Sequence, residues 1–264
     1  RQGQLGASVE HFETALAKNP KAAEPQIALA RSYLAMAQPE QAQARLERLL
    51  ADNPNNIVAI NLLAEAYVAM GQQEEARKQY RYAIERAPAS PLAYRRLAQL
   101  QFDAGEQGKA LSTLEGSLEP TGRNPTLLLT LAMLKQQDGD SGAAIEAYEE
   151  IIGRFPDADV AANNLAMLLI EGAADNPDKL ARARALTERL ASSDQAAFLD
   201  TAGWVQYLSG NYEGAVSLLE RAHESADPTP ERQFHLGMAY LKTGRIEEGK
   251  RLLANAVEAD SPFP

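Results

Sequence analysis

The sequence predicts an all-α solenoid, a stack of antiparallel helix pairs, on three observations. A pattern of small and large residues recurs from starting points near residues 23, 57, 91, 125, 159, 196 and 230, in steps of 34 residues with one step of 37. A fixed period of this length indicates one supersecondary unit repeated along the chain. Apolar residues within each unit lie three and four apart, which is the spacing of a buried helical stripe.

The third observation is that each unit carries two helix-end signals. A Gly follows the first helix, where a left-handed residue can cap it, and a Pro stops the second. The Gly signals are Gly71, Gly105, Gly139, Gly210 and Gly244, and the Pro signals are Pro20, Pro54, Pro88 and Pro156.

Small residues recur where the two helices of a pair must approach each other closely, and large residues recur where neighbouring pairs leave space to fill. The small residues include Ala64, Ala76, Ala98, Ala110, Ala132, Ala144, Gly203 and Ala215, and the large ones Tyr67, Tyr80, Tyr148 and Tyr240. Residues 1–22 match only the second helix of a unit.

The 34-residue period and this alternation resemble the tetratricopeptide repeat (TPR) over nearly the whole chain. The resemblance implies one right-handed superhelical array over residues 1–264, with first helices lining its concave face. Local departures are a net three-residue insertion around Gly172–Asp178 and a poorly matching second helix near Lys179–Leu190, where we expect the array to bend or loosen. Because residues 1–22 lack a first helix and no polar capping helix follows the last repeat, we expect a fragment of a longer repeat protein.

Composition and charge exclude several functional classes. The formal net charge of −10 argues against a sequence-independent nucleic-acid binder, which needs clusters of Lys and Arg. The imbalance lies in residues 125–264, which hold 12 basic and 22 acidic side chains against 14 and 14 in residues 1–124. The absence of Cys excludes disulfides and thiolate chemistry. The longest uncharged apolar stretch, Thr126–Leu134, is far shorter than the roughly 18 residues that membrane insertion requires.

Side chains that could support catalysis or hold a cofactor are scarce. His11, His223 and His235 fall in different repeats, and we expect them at the surface or in the groove. Asp138 and Glu149 have the spacing of a calcium loop, but Ala143 stands where that loop needs Gly and lies in a predicted helix. We therefore predict a protein that is not an enzyme and has no cofactor and no metal site.

The TPR resemblance also implies where a partner binds, because the ninth position of each first helix usually points into the groove. That position changes from Arg31, Glu65 and Gln99 to Met133, Met167, Trp204 and Met238. The fifth position adds Leu129, Asn163, Asp200 and Phe234, and the twelfth adds Gln136, Ile170, Tyr207 and Leu241. The predicted peptide-binding groove consists of Met133, Asn163, Met167, Ile170, Asp200, Trp204, Tyr207, Phe234 and Met238. The alternative is that these side chains pack against the neighbouring repeat.

Asp200, Glu171 and Glu231 are expected to border this groove with negative charge. The predicted partner is therefore a protein or peptide with apolar anchors and basic flanks, and neither nucleic acid nor a membrane.

Three segments are similar to those of TPR proteins of proteobacterial envelopes, which are linked to exopolysaccharide export and the PEP-CTERM/exosortase system. These segments are Leu199–Trp204, Gly210–Ala222 and Phe234–Tyr240. This resemblance implies a periplasmic or outer-membrane-associated scaffold, with a cytoplasmic location as the alternative. We expect a binding scaffold in envelope, secretion or exopolysaccharide export assembly. A structural spacer, or the regulatory arm of an enzyme encoded outside this segment, remain the alternatives.

Overall fold

The computed structural model describes residues 2–171, 176–227 and 229–258, and every regular element within these ranges is helical. The all-α prediction is confirmed. The chain divides into two compact units, unit 1 (residues 1–139) and unit 2 (residues 140–264), which are described separately. The extension of one array over residues 1–264 stays a prediction.

Unit 1 contains three complete helix pairs, preceded by a single helix and followed by a first helix. Helices that follow each other along the chain pack together. The helices are α1 (Gln2–Lys18), α2 (Ala23–Ala35), α3 (Pro39–Asp52), α4 (Ile57–Ala69), α5 (Gln73–Arg86), α6 (Pro91–Asp103), α7 (Gln107–Ser117) and α8 (Pro125–Gln137).

Unit 2 begins with a second helix and continues with three pairs. Its helices are α9 (Ser141–Arg154), α10 (Asp159–Ile170), α11 (Pro177–Thr187), a 3-10 helix (Arg189–Ser192), α12 (Ala196–Leu208), α13 (Tyr212–Ser225), α14 (Pro230–Lys242) and α15 (Ile246–Glu258). The first helices of the two units, α2, α4, α6, α8, α10, α12 and α14, begin at the residues where the sequence pattern restarts.

The turns after the first helices use left-handed residues. Gly71 and Gly105 in unit 1 have φ values of 73° and 75°, and Gly210 and Gly244 in unit 2 have 81° and 84°. Glycine adopts this conformation without the steric cost that a Cβ imposes. The turn between α2 and α3 differs because Ala37 occupies the equivalent place with a φ of 56°.

Small residues allow close contact within the pairs of unit 2. A Cβ on Gly203 in α12 would lie 2.6 Å from Cγ of Leu219 in α13. A Cβ on Gly237 in α14 would lie 2.9 Å from Cγ of Leu253 and 3.1 Å from the carbonyl oxygen of Gly249, both in α15. The neighbouring helices occupy the space that any larger residue would need.

Large residues fill the interior of both units. Tyr80 in unit 1 is 1% exposed and packs in a cluster with Ile60 and Leu97. In unit 2, Tyr148 is fully buried, and the Tyr240 hydroxyl donates a 2.7 Å hydrogen bond to Glu220. The alternation of small and large side chains therefore has the packing role that the repeat pattern assigns to it.

The fifth repeat departs from the pattern at α11. Part of the insertion expected around Gly172–Asp178, residues 172–175, lies outside the described residues. The second helix expected to fit poorly is a regular α-helix followed by a 3-10 turn. Ala183 is fully buried, like Ala144 in α9, but Thr187 takes the place that Tyr148 has in α9. Two clefts with volumes of about 660 and 370 Å³ border α11.

Candidate peptide-binding surface

Three first helices of unit 2 carry eight of the nine side chains predicted to form the groove. Helix α12 packs beside α10 on one side and α14 on the other. The ninth, Met133, lies on α8 of unit 1 and is 49% exposed. We call the eight residues of unit 2 the first-helix surface: Asn163, Met167, Ile170, Asp200, Trp204, Tyr207, Phe234 and Met238.

Burial divides the first-helix surface into two classes. Asp200 and Tyr207 are buried, with 7% and 9% exposure. The other six side chains are half-buried. The two interpretations offered by the sequence, packing against a neighbour and facing a ligand, therefore apply to different members of the set.

An aromatic cluster forms the centre of the first-helix surface. The indole of Trp204 stacks on Tyr207 of the same helix, with ring centroids 4.6 Å apart and planes 6° from parallel. It also stacks on His235 of α14, at 4.3 Å and 17°. Phe234 lies 5.9 Å from the indole in a tilted arrangement. Trp204 and Met238 pack against the hydrophobic core of this region while remaining half-exposed.

A buried polar pair supports this cluster. His235 Nδ1 lies 3.0 Å from Oδ2 of Asp200, and the two residues are 5% and 7% exposed. A carboxylate can only accept a hydrogen bond, so Nδ1 of the imidazole carries the proton and donates. The other carboxylate oxygen of Asp200 is buried without a hydrogen-bond partner.

Two expectations from the sequence are wrong at this pair. His235 was expected at the surface or in the groove, but α12 and the aromatic rings enclose it. Asp200 was expected to present negative charge at the border, but its carboxylate is buried and engaged. Glu171 and Glu231 are exposed. A signal for the pair exists in the sequence, because a separation of 35 residues is one repeat plus one position and places the two side chains on adjacent first helices.

Other polar groups of the surface have local partners. The amide of Asn163 donates to Oδ1 of Asn164 at 3.4 Å, and Asn164 in turn donates to the hydroxyl of Tyr148 at 3.3 Å. Burial raises the pKa of Tyr207, and the neighbouring Tyr212 adds to this. The Tyr207 phenol is therefore neutral at physiological pH and stacks as an uncharged ring.

The first helices of unit 1 present a different surface. Glu65 at the ninth position of α4 forms an ion pair with Arg96 of α6, at 3.1 Å. The exposed apolar side chains of α4 are Val58 and Val68, with 44% and 40% exposure. Val58 and Val68 are not among the predicted groove residues, because that prediction followed the ninth position of each first helix and neither valine occupies it.

The described parts of the chain were compared with the side-chain grouping that a metal ion needs and with the helix length that a bilayer needs. Among those residues, no three His, Asp or Glu side chains are grouped so that they could hold a metal ion. None of the described helices has the length and apolar character needed to cross a bilayer.

The fold and this surface define a helical repeat protein with a half-buried aromatic cluster on its first helices. Four family models, each described as a tetratricopeptide repeat, match residues 1–66 and 40–80, 61–125, 127–158, and 230–262. Together they match more than half of the chain, which therefore belongs to the tetratricopeptide repeat family. Proteins of this family are generally non-catalytic scaffolds that bind proteins or peptides.

Solved structures of bacterial proteins have the same fold. The C-terminal part of a TPR repeat-containing protein from Cytophaga hutchinsonii is 17% identical, with a TM-score of 0.65 over 88% of this chain and 95% of that one. The pilF protein of Pseudomonas aeruginosa is 18% identical, with a TM-score of 0.62 over 80% and 94%. A tetratricopeptide repeat protein from Parabacteroides merdae is 18% identical, with a TM-score of 0.55 over 90% and 93%. A search of curated proteins found no match.

Proposed function

We propose that the chain is a non-catalytic scaffold that holds a protein or peptide on the first-helix surface of unit 2. The observation that carries this proposal is the half-exposed indole of Trp204, which two near-parallel rings hold in one orientation. Trp and Tyr contribute most of the binding energy where an interface buries them. Met238 packs against the same hydrophobic core as Trp204, and Met167 is half-buried on the neighbouring first helix α10. Met side chains adapt to varied apolar partners.

The charge of unit 2 supports a partner with apolar anchors and basic flanks. Residues 140–264 hold 21 acidic and 11 basic side chains, whereas residues 1–139 hold 15 of each. Glu171 follows the end of α10, and Glu231 lies in the first turn of α14. Both carboxylates are exposed and can attract a cation from solvent, with a strength that falls as salt screens them.

The first test measures peptide affinity. A synthetic peptide with Leu and Phe anchors and Lys flanks is titrated into the full chain by calorimetry, beside a version with Ser in place of the anchors. Trp204→Ala should weaken binding by at least tenfold, which corresponds to about 1.4 kcal/mol. Met167→Ala should weaken it less. The matched control is Val257→Ala, which removes an apolar side chain that is 72% exposed on the second helix α15.

Circular dichroism and the melting temperature show whether each variant is folded. Equal affinity in the wild type and in a folded Trp204→Ala protein would place binding elsewhere. A wild-type protein that binds neither peptide, and whose melting temperature no peptide raises, would favour the structural spacer.

The second test addresses the charged border. Glu171→Gln and Glu231→Gln should weaken binding of the Lys-flanked peptide and reduce its dependence on salt concentration. Glu213→Gln on α13 is the control, because it removes an exposed carboxylate from a second helix. A peptide with Glu in place of the flanking Lys should bind more weakly than the Lys version. Equal affinity for the two peptides would rule out the basic flanks.

We further propose that the scaffold acts in the cell envelope. The similarity of residues 199–204 and 234–240 to envelope TPR proteins supports a scaffold in envelope, secretion or exopolysaccharide export assembly. Fractionation of cells expressing the tagged full-length gene product tests this placement. Recovery in the cytoplasmic fraction alone would contradict it.

A further inference from the structure

The Asp200–His235 pair is unusual among the repeats of this chain. The fifth and sixth positions of successive first helices hold Asp and His only at this junction, between the sixth and seventh repeats. An apolar pair would fill the same space without removing a carboxylate from water, which is costly. One oxygen of Asp200 even remains without a partner. Stability alone therefore gives a poor account of this choice of residues.

The geometry couples the pair to Trp204. Asp200 and Trp204 lie four residues apart on α12, so they are on the same face of the helix. His235 reaches both residues, with Nδ1 on the carboxylate at 3.0 Å and its ring stacked on the indole at 4.3 Å. The imidazole torsion about the Cβ–Cγ bond is intrinsically broad, so a hydrogen bond at Nδ1 is what selects one ring plane.

We propose that Asp200 is a positioning residue that, through His235, fixes the orientation of the Trp204 indole on the first-helix surface. The consequence for binding rests on the function proposed above: a pre-oriented indole loses less conformational freedom when a peptide covers it. Asp200 itself does not touch the ligand, because the residue is 7% exposed and its carboxylate is engaged by His235. It acts on affinity only through the indole.

The first experiment uses the unliganded full chain and needs no peptide. Trp204 is the only Trp, so the near-ultraviolet circular dichroism band and the fluorescence of the indole report this one site. Asp200→Ala removes the acceptor and should diminish the indole band. Asp200→Asn retains an acceptor oxygen and should restore most of it. Thr201→Ala is the matched control, since Thr201 is a buried polar neighbour on α12 whose hydroxyl bonds to the Ala197 carbonyl.

His235→Phe provides an independent variant. It keeps a ring beside the indole but cannot donate to Asp200, so it should alter the band in the same way as Asp200→Ala. An unchanged indole band in folded Asp200→Ala and His235→Phe proteins would overturn the proposal. So would an equal change in Thr201→Ala, because the effect would then be a general loosening of α12.

The second experiment is a double-mutant cycle with the Lys-flanked Leu and Phe peptide. Asp200→Ala should weaken binding about tenfold in the wild-type background. In the Trp204→Ala background the same substitution should have almost no further effect, because the indole through which it acts is gone. A full tenfold loss in both backgrounds would overturn the proposal, as would wild-type affinity in a protein whose indole band has changed. Failure of every peptide to bind the wild type would count against the proposed function alone, since the unliganded measurement decides the positioning role by itself.

Discussion

The first helices of unit 1 and unit 2 follow the same repeat register, but α12 and α14 of unit 2 differ from the others at the eighth position, where the two helices of a pair meet. Ala30, Ala64, Ala98 and Ala132 occupy this position in unit 1 and Ala166 occupies it on α10 of unit 2, whereas Gly203 and Gly237 occupy it on α12 and α14. All of these residues are buried. The register therefore determines where two helices meet, and the residue at that point determines how closely they can approach.

The units also differ in where they bury charge. In unit 1, Arg77 of α5 is 6% exposed and pairs with Glu74 and Glu106, while donating to the Leu100 carbonyl. Glu74 lies on the same helix as Arg77, whereas Leu100 and Glu106 belong to the next repeat. In unit 2 the buried Asp200 also pairs with the next repeat, but its partner His235 stacks on the half-buried indole of Trp204. The same type of fold thus places a buried ionisable group either within its scaffold or directly behind a candidate binding surface.

The largest expected change in stability comes from a substitution that prevents the close contact between α12 and α13 in unit 2. Gly203→Ala should destabilise the protein by about 2 kcal/mol, because the new Cβ would overlap Leu219. Thermal and denaturant unfolding measure this change. If the two units unfold in separate transitions, only that of unit 2 should shift.

The control for this prediction is Gly153→Ala in α9. A Cβ there meets nothing within 4 Å, so the change should stabilise the helix by about 0.5–1 kcal/mol. Destabilisation by Gly153→Ala, or no effect from Gly203→Ala, would contradict the role assigned to the Gly at the eighth position.

The second largest effect is the loss of stability at alkaline pH that one buried tyrosine in each unit causes. Burial raises the pKa of Tyr80 to about 12, and burial together with the hydrogen bond to Glu220 raises the pKa of Tyr240 to about 12. An unfolded tyrosine ionises near 10. The folded state therefore holds these protons more tightly, and stability that is complete below about pH 10 is lost between about pH 10 and 12.

Tyr80→Phe and Tyr240→Phe should both reduce this alkaline loss. Only Tyr240→Phe should also cost about 1 kcal/mol at neutral pH, since it alone removes the hydrogen bond to Glu220. Chemical unfolding at pH 7 and at pH 11 measures both quantities. An equal cost at pH 7 would show that the two hydroxyls have equivalent environments.

A smaller change in stability is expected at the turn between α2 and α3, where Ala37 takes the left-handed place that Gly has in other turns. Ala37→Gly in unit 1 should stabilise the protein by about 0.5–1 kcal/mol, because it relieves a left-handed Ala with a φ of 56°. The reverse change in unit 2, Gly210→Ala, should destabilise by a similar amount at a φ of 81°. Melting temperatures of the two variants should therefore shift in opposite directions, and shifts of the same sign would contradict this explanation.

The smallest expected effect is on the dependence of folding stability on pH in the acid range. Hydrogen bonds from Arg245 and Tyr240 lower the pKa of Glu220 in unit 2, and Lys109 and Arg77 lower that of Glu106 in unit 1. The stability from these carboxylates is present above their unfolded pKa, near 4.3, and is lost as the pH falls through the lower folded value. Glu220→Gln and Glu106→Gln should each flatten the acid limb of the unfolding profile. The effect is small because both pairs are partly exposed to solvent.

The helical class, the start of each first helix and the left-handed turns at Gly71, Gly105, Gly139, Gly210 and Gly244 could be predicted from the sequence, whereas the left-handed Ala37 could not. These features depend on local properties, such as the 3.6-residue period of a helix and the freedom of Gly at positive φ, which a short stretch of chain expresses without its neighbours. The same holds for α11, whose helix forms although its sequence pattern is weak, because Asn176 caps it and Pro177 opens it.

The exposure of each predicted groove residue, and the side chains that pack behind it, could not be predicted from the repeat pattern. Met167 and Tyr207 occupy predicted groove positions, but one is half-buried and the other is buried. The enclosure of His235 depends on a carboxylate one repeat away and on the stacking of Trp204. Side-chain burial is a property of the packed neighbours, and a repeat register specifies which helices are adjacent without specifying how their side chains share the space between them.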